Sequence, residues 1–179
     1  LFDYSQTELD QAKEEFGDRI RTVQGDIYHT PFKDDEFSAL LMVRATHHFA
    51  DLPAVIKELH RILEPGGVAV IEVANKRTLP KMFRYWFKKS KVNPFDKKPS
   101  NLKNIDKDGF YNYHPAYVED LFRKSGFEID NILSVSNFRS QTMKKIFKTK
   151  ALVALEKKLQ KPLAGLRFAP SIYYRLIKK

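Results

Sequence analysis

Cysteine is absent from the 179 residues of the chain, which excludes disulfide staples, thiolate chemistry and cysteine-ligated zinc. Long apolar runs are absent as well. The longest, 39–43 and 68–71, fall far short of the roughly 20 residues that a membrane-spanning helix needs. No basic stretch followed by an apolar one stands at the start, so nothing points to export and a cytoplasmic setting is expected. Glycine is scarce, and none of the seven glycines belongs to a G-x-G-x-x-G run of the kind that cradles a dinucleotide. What is present is 42% hydrophobic and 13% aromatic residues, enough for a real core and, at this length, for one domain. The opening Leu1-Phe2-Asp3, an apolar pair running into a carboxylate, reads as the end of a buried strand, with the native start expected upstream.

Charge is unevenly placed. Residues 1–75 hold 7 basic and 14 acidic side chains and 105–138 hold 3 and 6, whereas 76–104 hold 10 and 1 and 139–179 hold 12 and 1. The net charge of +10 therefore belongs to two segments added to an acidic remainder. A solvated helix face accounts for such runs. So does attraction to an anionic partner: lipid headgroups, nucleic acid or an acidic substrate.

Periodicity gives the organisation. Ser5 and Glu8 have capping-box spacing before a helix over 6–16, which puts Leu9, Ala12 and Phe16 on one face and ends at Gly17. Residues 20–24 and the nearly continuous apolar run 37–43 read as parallel strands, the second covered on both faces. Asp51 caps a helix with Pro53 in its first turn and a stripe of Leu52, Val55, Ile56, Leu59, Ile62 and Leu63, stopped by Pro65-Gly66-Gly67. Residues 68–73 form the next strand. Pro115 opens a helix that turns Tyr117, Val118, Leu121 and Phe122 inward and stops at Gly126, before a strand over 127–138. A helical stretch over about 141–160 carries a stripe of Met143, Ile146, Phe147, Ala151, Ala154, Leu155 and Leu159, and 171–177 is a last strand. Strands alternating with helices make an open α/β sheet, which binds ligands at the carboxyl ends of its strands. The loops there are 3–5, 25–28, 44–48 and 73–75.

In those loops Asp3 follows a strand end, where a carboxylate accepts hydrogen bonds from ribose hydroxyls. Asp26 follows the next strand, where a carboxylate and the neighbouring backbone N–H read the edge of an adenine, although an Asx turn suits it equally. Tyr4 and Phe32 offer apolar surface beside such a base, or are simply core. Asp3, Gly25-Asp26-Ile27-Tyr28-His29-Thr30-Pro31-Phe32, the strand from Phe37, His47-His48 with Asp51, Leu59-His60-Arg61-Ile62-Leu63 and Glu64-Pro65-Gly66-Gly67 occur in order. As a set over 1–75 they resemble the class I S-adenosylmethionine-dependent methyltransferases of the type 11 kind.

The resemblance implies a Rossmann-like, open and mostly parallel sheet with an antiparallel last strand, cut at its amino end before the second strand. The family's glycine-rich loop would precede Asp3, so a sheet lacking that part would expose apolar surface on the strands to either side. The resemblance further implies that Asp3 holds the ribose of S-adenosylmethionine, that Tyr4 lies beside the adenine, that Asp26 and Ile27 read its edge, and that Arg44 lines the methionine end. It gives one domain over 1–179 with a lid-like insert at 76–112 and a basic helical insert at 139–168. The implied reaction is in-line methyl transfer to a small-molecule acceptor, a lipid-like one being one option.

By type and place His47 and His48 are the candidate bases for an acceptor that carries a proton; lining the pocket, or plain packing, are the alternatives. No metal is expected, since adjacent histidines project differently and no carboxylate pair has ligand spacing with them. Leu79, Met82, Phe83, Trp86 and Phe87 recur at helical intervals opposite Lys81, Arg84, Lys88 and Lys89, as a lid over the substrate or as a helix lying on an anionic membrane surface. Tyr111, Tyr113 and His114 could face the same pocket or pack. A nicotinamide dehydrogenase would share the ribose-binding acid but not the rest of the set. Nucleic-acid binding, or RNA methylation, is the other class, through basic segments interleaved with aromatics. A non-catalytic methyltransferase-like partner is the third. The acceptor, the accepting atom and the oligomeric state stay open.

Overall fold

The computed structural model describes residues 1–101, 109–138 and 141–179. Parts of the expected 76–112 and 139–168 inserts, at 102–108 and 139–140, lie outside the described residues. In chain order the elements are β1 (Phe2–Asp3), α1 (Gln6–Phe16), β2 (Val23–Gln24), β3 (Phe37–Met42), α2 (Leu52–Ile62), β4 (Leu63–Ala74), α3 (Leu79–Trp86), β5 (Ser100–Asn101), β6 (Tyr111–Asn112), α4 (Pro115–Lys124), β7 (Phe127–Val135), α5 (Gln141–Ile146), α6 (Thr149–Leu159) and β8 (Ser171–Lys178). Short 3-10 turns stand at Gly17–Arg19, Thr46–His48 and Pro162–Leu166.

Helix starts are set locally. Ser5 accepts from the Glu8 amide at 3.4 Å, Asp51 from that of Ala54 at 3.0 Å, and His114 Nδ1 from that of Ala116 at 3.2 Å with Pro115 in the first turn. Each satisfies an amide that the first helical turn leaves unpaired. α4 ends before Gly126, whose φ of +90° only glycine adopts readily and whose absent side chain leaves room for His60; a Cβ there would lie 2.7 Å from His60 Nε2.

The main sheet has the order β3-β4-β8-β7, with β3 and β4 parallel and β8 antiparallel to both β4 and β7. Only β8 runs against the others, as the resemblance implied. α2 and α4 cover one face. Val55, Ile56 and Leu59 of α2 and Val118 and Phe122 of α4 pack with Ala69, Ile71 and Val73 of β4 and Ile172, Tyr174 and Leu176 of β8. At about 25 cal/mol per Å² of apolar surface removed from water, this two-layer core is the main stabilising term.

Three expectations need correction. β3 is not covered on both faces: Ser38, Ala39 and Leu41 are exposed, Leu41 at 74%. Among the described residues it pairs only with β4, and β1 pairs only with β2, in a separate parallel ribbon. Leu41 and Val43, at the end of β3, are exposed. Of the strand read over 20–24, only Val23–Gln24 pairs. The stretch 141–160 is two helices, not one, because the chain breaks at Phe147-Lys148 and shifts the register. Ile146, Phe147, Ala151, Ala154 and Leu155 are exposed, while Leu152 is buried. The buried side of α6 is drawn to the end of β7 by Glu156, which accepts from the Asn137 amide, Asn137 Nδ2 and the Phe138 amide.

Candidate active site

Hydrogen bonds join the loops at the carboxyl ends of the strands into one chain. The Gly25 amide donates to the Asp3 carbonyl at 3.1 Å, clasping the ends of β1 and β2. A Cβ at Gly25 would lie 2.9 Å from the Phe2 ring, so no larger residue fits that clasp unmoved. The Tyr28 hydroxyl accepts from the Asp51 amide at 3.4 Å, joining the loop after β2 to that after β3. The Tyr113 hydroxyl donates to the Phe49 carbonyl at 2.5 Å, and the Tyr113 amide donates to Ala74 O at 2.9 Å, which brings in the end of β4. Tyr113 is buried and stacks between Tyr111 and Tyr117; burial pushes its phenol well above the usual range.

Within this rim Asp3 Oδ1 accepts from the Ser5 amide at 2.8 Å, and Asp26 Oδ1 from the Tyr28 amide at 2.9 Å. Both carboxylates thus form Asx turns, the alternative the sequence offered for Asp26, yet each keeps Oδ2 without a partner among the described residues. The Ile27 side chain packs against the core, and its backbone N–H has no partner among the described residues. Asp26 and Ile27 therefore present an adjacent acceptor and donor. Tyr4 is 81% exposed, and its carbonyl accepts from Gln24 Nε2 at 3.1 Å, which ties its backbone to the end of β2.

At the end of β3, Arg44 takes a left-handed φ of 57°, its amide donates to Glu72 Oε2 at 2.8 Å, and its side chain is exposed. Thr46 Oγ1 donates to the Glu72 carbonyl at 2.9 Å, fixing the turn that carries the histidines. His47 is half-buried, with its ring stacked 4.3 Å from Phe110 and 4.0 Å from His48, which is exposed. No cluster of three or more metal-ligating side chains occurs among the described residues.

Three residues of this end were given no role in the site by the sequence. Asn75 is 1% exposed, and its Nδ2 lies within hydrogen-bond reach of the carbonyls of Arg77, Arg167 and Ala169 at 3.2, 2.8 and 2.7 Å, pinning the end of β4 to the run before β8. Lys81 was placed on the outer side of α3, but it points inward, and its Nζ donates to Asn75 O at 2.9 Å and Asn112 Oδ1 at 3.1 Å. Burial, and then the neighbouring Lys76, push its ammonium down to about 8. Lys76 Nζ donates to the carbonyls of Asp96 and Lys98. Both ammonium groups are held by neutral oxygens. Burial also lowers the His114 pKa, helped by Arg77 and Lys76. The only sequence signal was position, since all of these residues follow β4. The shallow depressions along α6, lined by Thr149, Val153 and Lys157, contain none of these residues.

Residues 1–71 match the methyltransferase domain family. A sterol 24-C-methyltransferase of Gibberella zeae is 41% identical over 56 residues, covering 31% of this chain and 15% of that protein. A demethylmenaquinone methyltransferase of Staphylococcus saprophyticus is 33% identical over 88 residues, covering 48% of this chain and 37% of that protein. The chain spans well under half the length of these curated relatives. Among solved structures, an S-adenosylmethionine-dependent methyltransferase from Thermotoga maritima superposes with a TM-score of 0.67 at 19% identity, covering 99% of this chain and 72% of that one. Residues 1–71 are thus similar to the methyltransferase domain family, and the chain has the fold of the S-adenosylmethionine-dependent methyltransferase on which it superposes.

Proposed function

We propose that the protein transfers a methyl group from S-adenosylmethionine to a small, apolar acceptor by direct in-line displacement. The observation that carries this reading is the open hydrogen-bonding capacity at neighbouring strand ends: Asp3 Oδ2, and the Asp26 Oδ2 and Ile27 N–H pair. These groups fit the cofactor, a ribose diol at Asp3 and an adenine amine and ring nitrogen at Asp26 and Ile27. The bound cofactor supplies a methyl made electrophilic by its sulfonium.

What remains for the chain is alignment and exclusion of water. Arg44, at the turn after β3, lines the methionine end. His47 and His48 line the acceptor, and the exposed His48 is the better placed to take a proton from an oxygen or nitrogen acceptor. The sterol and demethylmenaquinone methyltransferases among the relatives support an apolar acceptor.

Calorimetric titration of the protein with S-adenosylhomocysteine tests the reading. Binding is expected in the wild type and is expected to weaken at least about tenfold in Asp3→Ala and in Asp26→Ala, each of which removes a charge-assisted hydrogen bond of about 1.5–3 kcal/mol. No binding by the wild type would leave the non-catalytic partner as the better account, and undiminished binding by both variants would discard the residue assignment.

A further inference from the structure

Most of the apolar stripe of α3 faces outward. Met82 is buried and Lys81 points inward, while Leu79, Phe83, Trp86 and Phe87 are 47, 52, 59 and 69% exposed. Phe95 from the following connection joins them, its ring stacked on Trp86 with centroids 6.0 Å apart, and Phe83 meets Trp86 edge-on at 5.7 Å. Five large apolar side chains thus share one outward patch, a size that water-facing surfaces rarely carry without a partner. Arg84, Lys88, Lys89 and Lys91 are exposed on the same segment, and Asp96 is the single acid within 76–104.

We propose that this patch docks the protein on an anionic lipid bilayer, with α3 lying in the interface plane. An apolar face set among cations matches both layers of such a surface: rings and Leu79 enter the acyl boundary, and the ammonium and guanidinium groups stay at the headgroups. Single-stranded nucleic acid would meet the same charge but fits the rings less well. Trp86 and Phe95 already cover one face of each other, which leaves fewer open faces for bases to stack on. The patch shares no residue with the Asp3, Asp26 and His47 rim, so the inference stands or falls apart from methyl transfer.

Trp86 is the only tryptophan of the chain, so its fluorescence reports on this patch alone. The experiment adds vesicles of phosphatidylcholine, with and without phosphatidylglycerol, to the protein and follows Trp86 emission and acrylamide quenching, alongside vesicle flotation. A blue shift and protection with anionic vesicles are expected, at least tenfold weaker in Lys88→Glu/Lys89→Glu, whose residues are exposed and outside the core, and also in Phe83→Ser/Phe87→Ser. Emission that is already blue and shielded without lipid would mean that the patch is covered by a second copy or by another part of the protein, and would overturn the proposal. So would equal binding to neutral vesicles, or a response to single-stranded RNA but not to vesicles.

Discussion

Replacing Glu58 with glutamine removes a single charge from the side of α2 that faces the loop after β2. Glu58 Oε1 accepts from the Thr30 amide at 3.0 Å, from Thr30 Oγ1 at 2.6 Å and from Arg61 Nη2 at 2.6 Å, and Oε2 accepts from Arg61 Nε at 2.8 Å. The hydrogen bonds from Arg61, and then those from Thr30, hold the carboxyl down to about 2 against burial, which acts in the opposite sense. Each tenfold change in proton affinity is about 1.4 kcal/mol, so a fall from 4.5 to about 2 sets an upper limit of about 3 kcal/mol. The Glu58 side chain is 11% exposed, but that of Arg61 is 33% exposed, and water screening the pair leaves about 1–2 kcal/mol.

The sign follows from the depressed pKa. The contribution is complete above about pH 4.5, where the unfolded chain is also ionised, and it is lost as pH falls toward 2. Urea unfolding of wild type and Glu58→Gln should therefore differ by about 1–2 kcal/mol at pH 7 and converge between pH 4.5 and 2. Taking the difference between the two proteins cancels the other carboxylates. A difference that stays constant with pH, or no difference at pH 7, would refute the reasoning. Because Thr30 sits in the loop that carries Asp26 and Ile27, the same variant should also weaken S-adenosylhomocysteine binding several-fold.

Lys81→Met tests the inward turn of α3. The folded pKa of about 8 lies below the unfolded value of 10.5, so wild-type stability rises with pH across that interval, by up to about 3 kcal/mol, and the variant lacks this rise. Wild type should therefore gain on the variant between pH 7 and 10 in urea unfolding; parallel curves would place Lys81 in solvent. Buried Tyr113 and Tyr174, with raised phenol pKa values, lower stability above about pH 10 in both proteins and cancel in the difference. Asn75→Ala leaves the carbonyls of Arg167 and Ala169 without the donor that joins β4 to the run before β8. A loss of about 2–4 kcal/mol is expected, at about 1–3 per stranded buried group, and Asn75→Asp should not rescue it because a carboxylate does not donate. A change under about 0.5 kcal/mol would remove Asn75 from the framework.

Helix starts were legible in the sequence because their causes are short-range. Ser5 and Asp51 act on amides within three residues, Pro115 fixes the backbone of its own first turn, and the stripe from Leu52 to Ile62 needs no partner to be recognised. Asp3 and Asp26 were legible as positions, since the carboxyl ends of parallel strands face the ligand crevice whatever the chemistry.

Tertiary structure alone decided the rest. α3 is equally amphipathic whichever side faces in; Asn75 O and Asn112 Oδ1, the second 31 residues away along the chain, drew Lys81 inward and sent Phe83 and Trp86 out. The break between α5 and α6 followed from Glu156 reaching back to Asn137 and Phe138, a constraint that helical periodicity does not carry. Asn75 bonds across 92 and 94 residues, and Glu58 across 28 to Thr30, so their roles existed only once the chain had brought those partners together. The sequence by itself determined most of the segments that coil and most of those that extend. Long-range hydrogen bonds and burial decided which face each segment turns to its neighbours, because that choice depends on partners that local sequence does not contain.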